Sequence, residues 1–386
     1  MRLTDSFIRF ARSEQFGGIL LIACTVVSLA LANSVLGSHY LAFWQISLGP
    51  LTLEHWVNDA LMAVFFLLIG LELEREIYVG ELSNPRGALL PIFAAVGGMA
   101  APAAIHYFFN AGTPTVVGFG IPMATDIAFA LGVLALLGSR VPPALKIFVV
   151  AFAVIDDLGA IVLIAVFYTA EVSVAYLLAA LAAWAALIML NRPLRVMQLW
   201  PYLLGGVVMW YCLLNAGIHA SIAGVMLAFA IPFSGPRASG HSPSHRLMHR
   251  LHKPVAFAIL PLFALANTGV NLDSSSLPGP GDHNFLGIMA GLVVGKPLGV
   301  LVLCSTAVAA GICVLPDNVR WKHMVGAGLL GGIGFTMSIF ITNLAFAGDA
   351  GHTNDSKAAV LVASLIAGLL GYAWLRAALG RRVPLS

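Results

Sequence analysis

The run Ala153-Val-Ile-Asp-Asp-Leu-Gly-Ala-Ile-Val162 sets two adjacent carboxylates, Asp156 and Asp157, in a stretch that is otherwise hydrocarbon. An ionised carboxylate at the centre of a bilayer is costly and two neighbours repel, so a pair retained there is a functional signal. Neighbouring helix residues point about 100° apart, so the two cannot face the same partner. That suggests a division of labour: one binds a small cation through hard oxygen ligands at a water-filled cavity, and the other is held by a base. Lys296, in Gly291-Leu-Val-Val-Gly-Lys-Pro-Leu-Gly299, is the candidate base, and Asp126 is a third acid inside an apolar run. A carboxylate in low dielectric keeps its proton to higher pH, so proton loss and cation binding compete for the same oxygens.

These residues need elements that hold them at one depth. The 386-residue chain is 60% hydrophobic and 10% charged, whereas soluble domains carry roughly 25% charged residues. Twelve apolar runs approach the roughly 20 residues of a membrane span. They lie near 16–33, 55–79, 89–109, 115–138, 144–170, 171–190, 200–214, 217–231, 254–270, 284–311, 322–347 and 356–377. With a cytoplasmic N-terminus, this count puts every Lys and Arg on the inside except Lys357, in an outside loop, and Lys296, within a span. Cytoplasmic loops retain basic residues, and one miscounted span would invert every later loop. Both termini are therefore expected in the cytoplasm. The net charge of +3 records this orientation and says nothing of nucleic acid. Arg2, Arg9 and Arg12 before an apolar run resemble a secretory signal, but a first span looks the same, and retention is expected. Cys24, Cys212, Cys304 and Cys313 have no metal-ligand spacing and read as packing residues.

No soluble domain fits, so residues 1–386 are expected to form one all-α polytopic transporter domain. Two spans carry punctuation that a continuous helix tolerates poorly. In the fourth, Pro114, Gly118, Gly120 and Pro122 precede Thr125-Asp126; in the eleventh, Gly326, Gly328, Gly331, Gly332 and Gly334 precede Phe335-Thr336. Proline removes a helix hydrogen bond and glycine weakens the helix, so both spans are expected to be discontinuous. Each is the middle of a trio, spans 3–5 and 10–12, and an odd offset of seven spans means an inverted repeat. Asp156 lies about twelve residues, or roughly 18 Å, into its span, near the midplane, with Asp126 and Lys296 at a similar depth. Opposed half-helices bring ends of like partial charge together, which Asp126 and Lys296 could neutralise. For Asp126 that role and direct ion binding both stand; Thr125 either offers an oxygen at the break or merely ends a helix. Glycines 291, 295 and 299 form a ridge for close helix approach. Residues 39–54, alternating around Gly49-Pro50, read as an extramembrane β-hairpin whose edges could pair with a second copy.

Other polar groups carry two readings each. Glu72, Glu74, Glu76 and Glu81 end the second span either as a solvated acidic face or as a cation-attracting funnel. His241, His245, His249 and His252 are spaced to put the last three on one helical face, as a pH sensor, ordinary loop histidines or a metal site. His219, in Asn215-Ala-Gly-Ile-His-Ala-Ser-Ile-Ala-Gly224, reads as a packed, hydrogen-bonded residue, with a pH-sensing role as the alternative.

The chain resembles the NhaA-type sodium/proton antiporters of bacterial inner membranes over nearly its whole length. The resemblance is carried by Ala124-Thr-Asp-Ile-Ala-Phe-Ala-Leu-Gly132 with Leu136-Leu-Gly-Ser-Arg-Val-Pro142, Ile155-Asp-Asp-Leu-Gly-Ala160, Gly295-Lys-Pro-Leu-Gly299 and Gly332-Ile-Gly-Phe-Thr-Met-Ser-Ile-Phe340. It implies twelve spans with crossed, broken fourth and eleventh helices and electrogenic exchange of more than one proton per Na⁺ or Li⁺, without a cofactor. It places the cation at Asp157 with Asp156, pairs Asp156 with Lys296, and gives Asp126 and Thr125 the helix-break role. A homodimer through the hairpin near residues 40–55 is implied as well. Two positions depart from the family pattern. Met248 stands where a glutamate is typical beside the histidines, and Glu74 where a lysine often stands, so the pH-activation profile is open while the transport site is complete. The sequence argues against an intramembrane enzyme, because no Asp-x-x-x-Asp pattern occurs and Gly-x-Gly-Asp occurs only as Gly279-Pro-Gly-Asp282, in a Pro- and Gly-rich loop rather than an apolar run. A passive cation channel would share the midplane acids but not the broken trios.

Overall fold

A computed structural model describes residues 5–169, 172–233, 242–271 and 281–379. Among them, six helices are long and apolar enough to cross a membrane: Leu53–Tyr78, Gly87–Asn110, Pro143–Phe167, Val174–Asn191, His283–Ala309 and Ala350–Ala378. Counting each of three bent pairs as one span brings the number to nine. The expected seventh and eighth spans correspond to the shorter helices Trp200–Ala216 and Ile222–Ala228. The ninth corresponds to a π-helical stretch, Val255–Ile259, and Leu260–Asn267, preceded by the polar helix Pro243–Pro254. Many large apolar side chains face outward; Val174–Asn191 is barely buried and exposes Leu178, Leu181 and Met189. Patches of that kind are a liability in water but suit a surface in contact with lipid tails.

The chain forms two compact units. The first takes in Met1–Leu29, Asn84–Ala160 and Val270–Ser386, and so contains the midspan acids and Lys296. In it, Pro85–Asn110 runs against Lys296–Ala309 through two glycines. A Cβ on Gly97 would run into the Gly299 carbonyl, and a Cβ on Gly299 into that of Gly97, so only hydrogen fits on either side. The ridge read from residues 291, 295 and 299 thus has its partner: Gly295 meets Pro102 and Gly299 meets Gly97. A buried polar network ties the same helix to its neighbours. His106 Nε2 lies 3.1 Å from Asn284 Oδ1, Asn284 donates to Ser356 Oγ at 2.8 Å, and Thr115 donates to Asn110 Oδ1 at 2.6 Å. Lys357, expected in an outside loop, lies instead within the helix Ala350–Ala378 and is buried. The apolar run that follows continues upstream through Asn354, Asp355 and Ser356 without a helix breaker, so the helix begins earlier than the hydropathy does.

The second unit comprises Ala30–Ser83 and Ile161–Gly269. Leu53–Tyr78 packs on Ile222–Ala228, where Gly224 abuts the Ala63 carbonyl and Gly70 leaves room for Ala228. Trp184 donates to the Met226 carbonyl at 2.8 Å, and Asn58 and Asn267 exchange amide hydrogen bonds at 3.2 and 2.8 Å. The hairpin is smaller than the alternation of residues 39–54 suggests. Gly37–Trp44 is a helix, and only Ser47–Leu48 and Leu51–Thr52 pair, antiparallel, around Gly49-Pro50. Gly49 has φ +70°, the left-handed conformation that the first central position of a tight two-residue turn requires. Nothing between Ser38 and Trp44 breaks a helix, and the Tyr40 hydroxyl is held by the Leu265 carbonyl at 2.6 Å.

Candidate functional site

The two breaks lie within the first unit. Pro114–Met123 and Ile127–Leu136 bend by 44° across residues 124–126, and Trp321–Gly331 and Phe335–Ala345 bend by 44° across 332–334. The first half of the earlier pair is a 3₁₀ rather than an α-helix. Pro122, inside it, forfeits an α-helical hydrogen bond and two glycines weaken the helix further, while Pro114 only opens it. The two breaks touch: the Asp126 amide donates to the Ile333 carbonyl at 2.6 Å.

Each end exposed by the breaks finds a partner of suitable charge or hydrogen-bonding capacity. Asp126 serves both second halves. Its Oδ1 accepts from the Phe129 amide at 3.1 Å, and its Oδ2 accepts from the Thr336 amide at 3.1 Å and the Thr336 hydroxyl at 2.6 Å. A carboxylate between two helix N-termini meets the positive ends of both dipoles. The carbonyl ends receive donors: Thr125 Oγ1 donates to Gly331 O at 2.8 Å, Ser338 Oγ to Ile121 O at 2.6 Å, and Lys296 Nζ to Met123 O. The charge compensation expected of Asp126 and Lys296 has this geometry, and Thr125 binds across the break rather than merely ending a helix. Thr336, Ser338 and the Met123 carbonyl escape a sequence reading. Their one advance signal is the position of the two hydroxyls just after the glycine-rich break.

Lys296 also donates to Asp156 Oδ2 at 2.7 Å, both side chains fully buried. It follows a π-helical stretch, Gly291–Gly295, and precedes Pro297, whose missing N–H cannot complete a regular turn. Such wide turns recur at functional positions. Asp157, one residue on from Asp156, is buried and feels the Lys296 charge. Asp156, Asp157, Lys296, Asp126 and Thr125 therefore sit in one unit around two broken helices. Among the described residues no three His, Cys, Asp or Glu side chains cluster as a metal centre would.

The chain matches the family described as Na⁺/H⁺ antiporter 1 over residues 8–375. It belongs to that family. It is 62% identical over 374 residues to the "Na(+)/H(+) antiporter NhaA" of Dechloromonas aromatica, covering 97% of this chain and 96% of the relative. It is 55% identical over 386 residues to the Cytophaga hutchinsonii protein of that name, covering 100% and 98%. The Vibrio alginolyticus antiporter is 46% identical over 383 residues, covering 98% and 99%. As a member of the Na⁺/H⁺ antiporter family, the chain is a multi-pass membrane transporter that exchanges Na⁺ for protons, and not an enzyme.

The remaining candidates of this antiporter lie in its second unit. Glu72 and His252 approach within 3.7 Å, and the rings of His245 and His249 lie 5.5 Å apart. Burial and the neighbouring His249 and Arg75 charges hold the His245 pKa below the usual histidine range. His241 falls outside the described residues. A solvated acidic face at Glu74 and Glu76 is not what forms: both are buried, Glu76 paired with Arg75 at 2.6 Å and Glu74 accepting from Ser244 Oγ at 3.0 Å. The helix Pro243–Pro254 covers the Glu74 face, with Met248 buried beside Ser244. His219 is half-buried and hydrogen-bonded to the Tyr168 backbone, as a packed residue would be.

Proposed function

We propose that the Na⁺/H⁺ exchange is carried by Asp157 and Asp156, which bind Na⁺ or Li⁺ in competition with protons, while Lys296 compensates Asp156 when the cation is absent. The observation that carries this reading is the Asp156–Lys296 pair, fully buried at 2.7 Å beside Asp157 and the crossed breaks. A structural ion pair would need one acid, whereas a second buried carboxylate is costly unless a proton or cation occupies it. Carboxylates, hydroxyls and unwound carbonyls are the hard oxygen ligands a small cation takes. Asp156 and Asp157 each carry a proton in the proton-loaded state and both give it up before one cation binds, with Lys296 pairing Asp156 in the interval, so the exchange is electrogenic, with more than one proton per Na⁺. Asp126, in this reading, holds the breaks together and does not bind cargo, since its oxygens already accept three hydrogen bonds.

Supporting elements extend the reading. Twelve spans, an inverted repeat of spans 3–5 and 10–12 and cytoplasmic termini are supported by the charge placement and the matched breaks, and a bacterial inner-membrane location by the family. Glu72, Glu76, His249 and His252 form a pH-responsive cytoplasmic region, and the hairpin at residues 47–52 is the contact of a homodimer.

The test is purified protein in liposomes with an imposed inside-acid gradient, following internal pH after external Na⁺ is added. Sodium-dependent alkalinisation by the wild type and its loss in Asp157→Asn are expected. Alkalinisation persisting in the mutant would remove Asp157 from the transport site.

A further inference from the structure

Lys296 touches one side chain that has no place in the exchange described so far. Phe152 lies one helical turn before Asp156 on the same face, is fully buried, and presents its ring to Lys296 Nζ at 6.0 Å from the centroid. The ring is held rigidly. A Cβ on Gly331 would sit 3.0 Å from its Cε1 and 3.1 Å from its Cζ, and one on Gly98 would sit 3.2 Å from its Cε2. Phe148, a turn earlier, stacks near-parallel with centroids 6.3 Å apart. Two glycines therefore bracket the ring tip, a ring backs it, and Gly331 is the residue whose carbonyl Thr125 caps at the break.

We infer that Phe152 is a positioning residue, a π-face partner that holds the Lys296 ammonium when the cargo cation takes Asp156 away from it. An ammonium has three donors; Asp156 and the Met123 carbonyl take two. When Na⁺ arrives, the Asp156 charge is shared with the cation and the ion pair weakens, yet the lysine stays buried. The ring face, negative at its centre, is then the fixed surface that still attracts the ammonium. Holding Lys296 in this way makes release of Asp156 to Na⁺ less costly, so Phe152 raises the apparent affinity for cargo. The inference rests on the assignment of cargo to Asp156 and Asp157.

Replacement by leucine would also alter packing, so the decisive experiment keeps the shape. Phe152 is replaced in the full-length protein by 4-fluoro-, 3,5-difluoro- and 3,4,5-trifluorophenylalanine, which drain the ring face stepwise at nearly constant volume. Na⁺-dependent exchange is measured in liposomes alongside Asp157→Asn. The expected result is a KM for Na⁺ that climbs with each fluorine, about three- to tenfold at the trifluoro ring, with the maximal rate changed much less. A flat KM across the series, with Asp157→Asn inactive, overturns the role of Phe152 and leaves the cargo site standing. Exchange surviving in Asp157→Asn overturns the cargo assignment and this inference with it.

Discussion

Asp126 bears more of the site's architecture than any other side chain, because one carboxylate ends two half-helices. Thr336→Val removes its shortest hydrogen bond, and a bond to a charged acceptor is worth about 1.5–3 kcal/mol. Asp126→Asn keeps an acceptor oxygen and the volume, whereas Asp126→Ala strands the Phe129 amide, the Thr336 amide and the Thr336 hydroxyl together. Thermal unfolding in detergent is therefore expected to fall modestly for Asp126→Asn, and further for Asp126→Ala; equal midpoints for both would refute the capping role. The charged members of the site are legible in the sequence because an ionisable residue inside an apolar run is expensive and hence rare. Thr336 and Ser338 are not, since a hydroxyl costs little in a helix and bonds its own backbone by default. What turns them outward is the crossing of two chains, and no local pattern records a crossing. Glu74 misleads for the same reason: near a span end it reads as solvated until Pro243–Pro254 folds over it and Ser244 donates to it.

At the scale of elements, the breaks are readable from proline and glycine, but their winding is not, because 3₁₀ and α-helices share the same punctuation. The helix contacts of the first unit are readable only in part. Gly291, Gly295 and Gly299 announce a close approach without naming the helix that makes it. Since Gly97 and Gly299 meet backbone to backbone, Gly299→Val should push the helices apart and forfeit far more than the few tenths of a kcal/mol of helix propensity that favour valine over glycine. A sharp loss of monodisperse protein on size exclusion is expected, whereas Gly132→Val, where nothing lies within 4 Å of an added Cβ, should behave as wild type. The N-terminus of Ala350–Ala378 offers a pH test. Asp349 accepts from the His352 ring at 2.6 Å and from the His352 amide at 3.1 Å, and these bonds depress its pKa below the ordinary 3.8. A depressed carboxylate stabilises the folded cap above the unfolded value and loses that contribution as pH falls through the folded one. Protection factors of the amides in the first turn of this helix, taken relative to the intrinsic exchange rate at each pH, should accordingly hold at pH 5 and fall below the ordinary aspartate pKa, a change that Asp349→Ala abolishes by lowering them throughout.

The whole molecule is a transporter whose sign of charge movement separates the mechanisms open to it. With Na⁺ trapped inside liposomes and a K⁺ diffusion potential set inside-negative, a passive channel loses Na⁺ more slowly, because the cation moves uphill against the voltage. An exchanger of one proton for one Na⁺ moves no net charge and is indifferent. Two midplane acids with a lysine that compensates one of them predict a third behaviour: more than one proton enters for each Na⁺ that leaves, so inside-negative voltage drives the cycle. One elementary charge crossing 100 mV gains about 2.3 kcal/mol, which shifts the attainable Na⁺ ratio roughly fiftyfold. Na⁺ efflux followed by flame photometry should therefore accelerate when valinomycin imposes the potential and slow when external K⁺ collapses it. Asp157→Asn should flatten the response by stopping exchange, whereas Phe152→Leu should keep its direction while demanding more Na⁺. Efflux that slows under inside-negative voltage would return the protein to the channel class, and indifference would reduce the proton count to one and leave the second carboxylate without the work proposed for it.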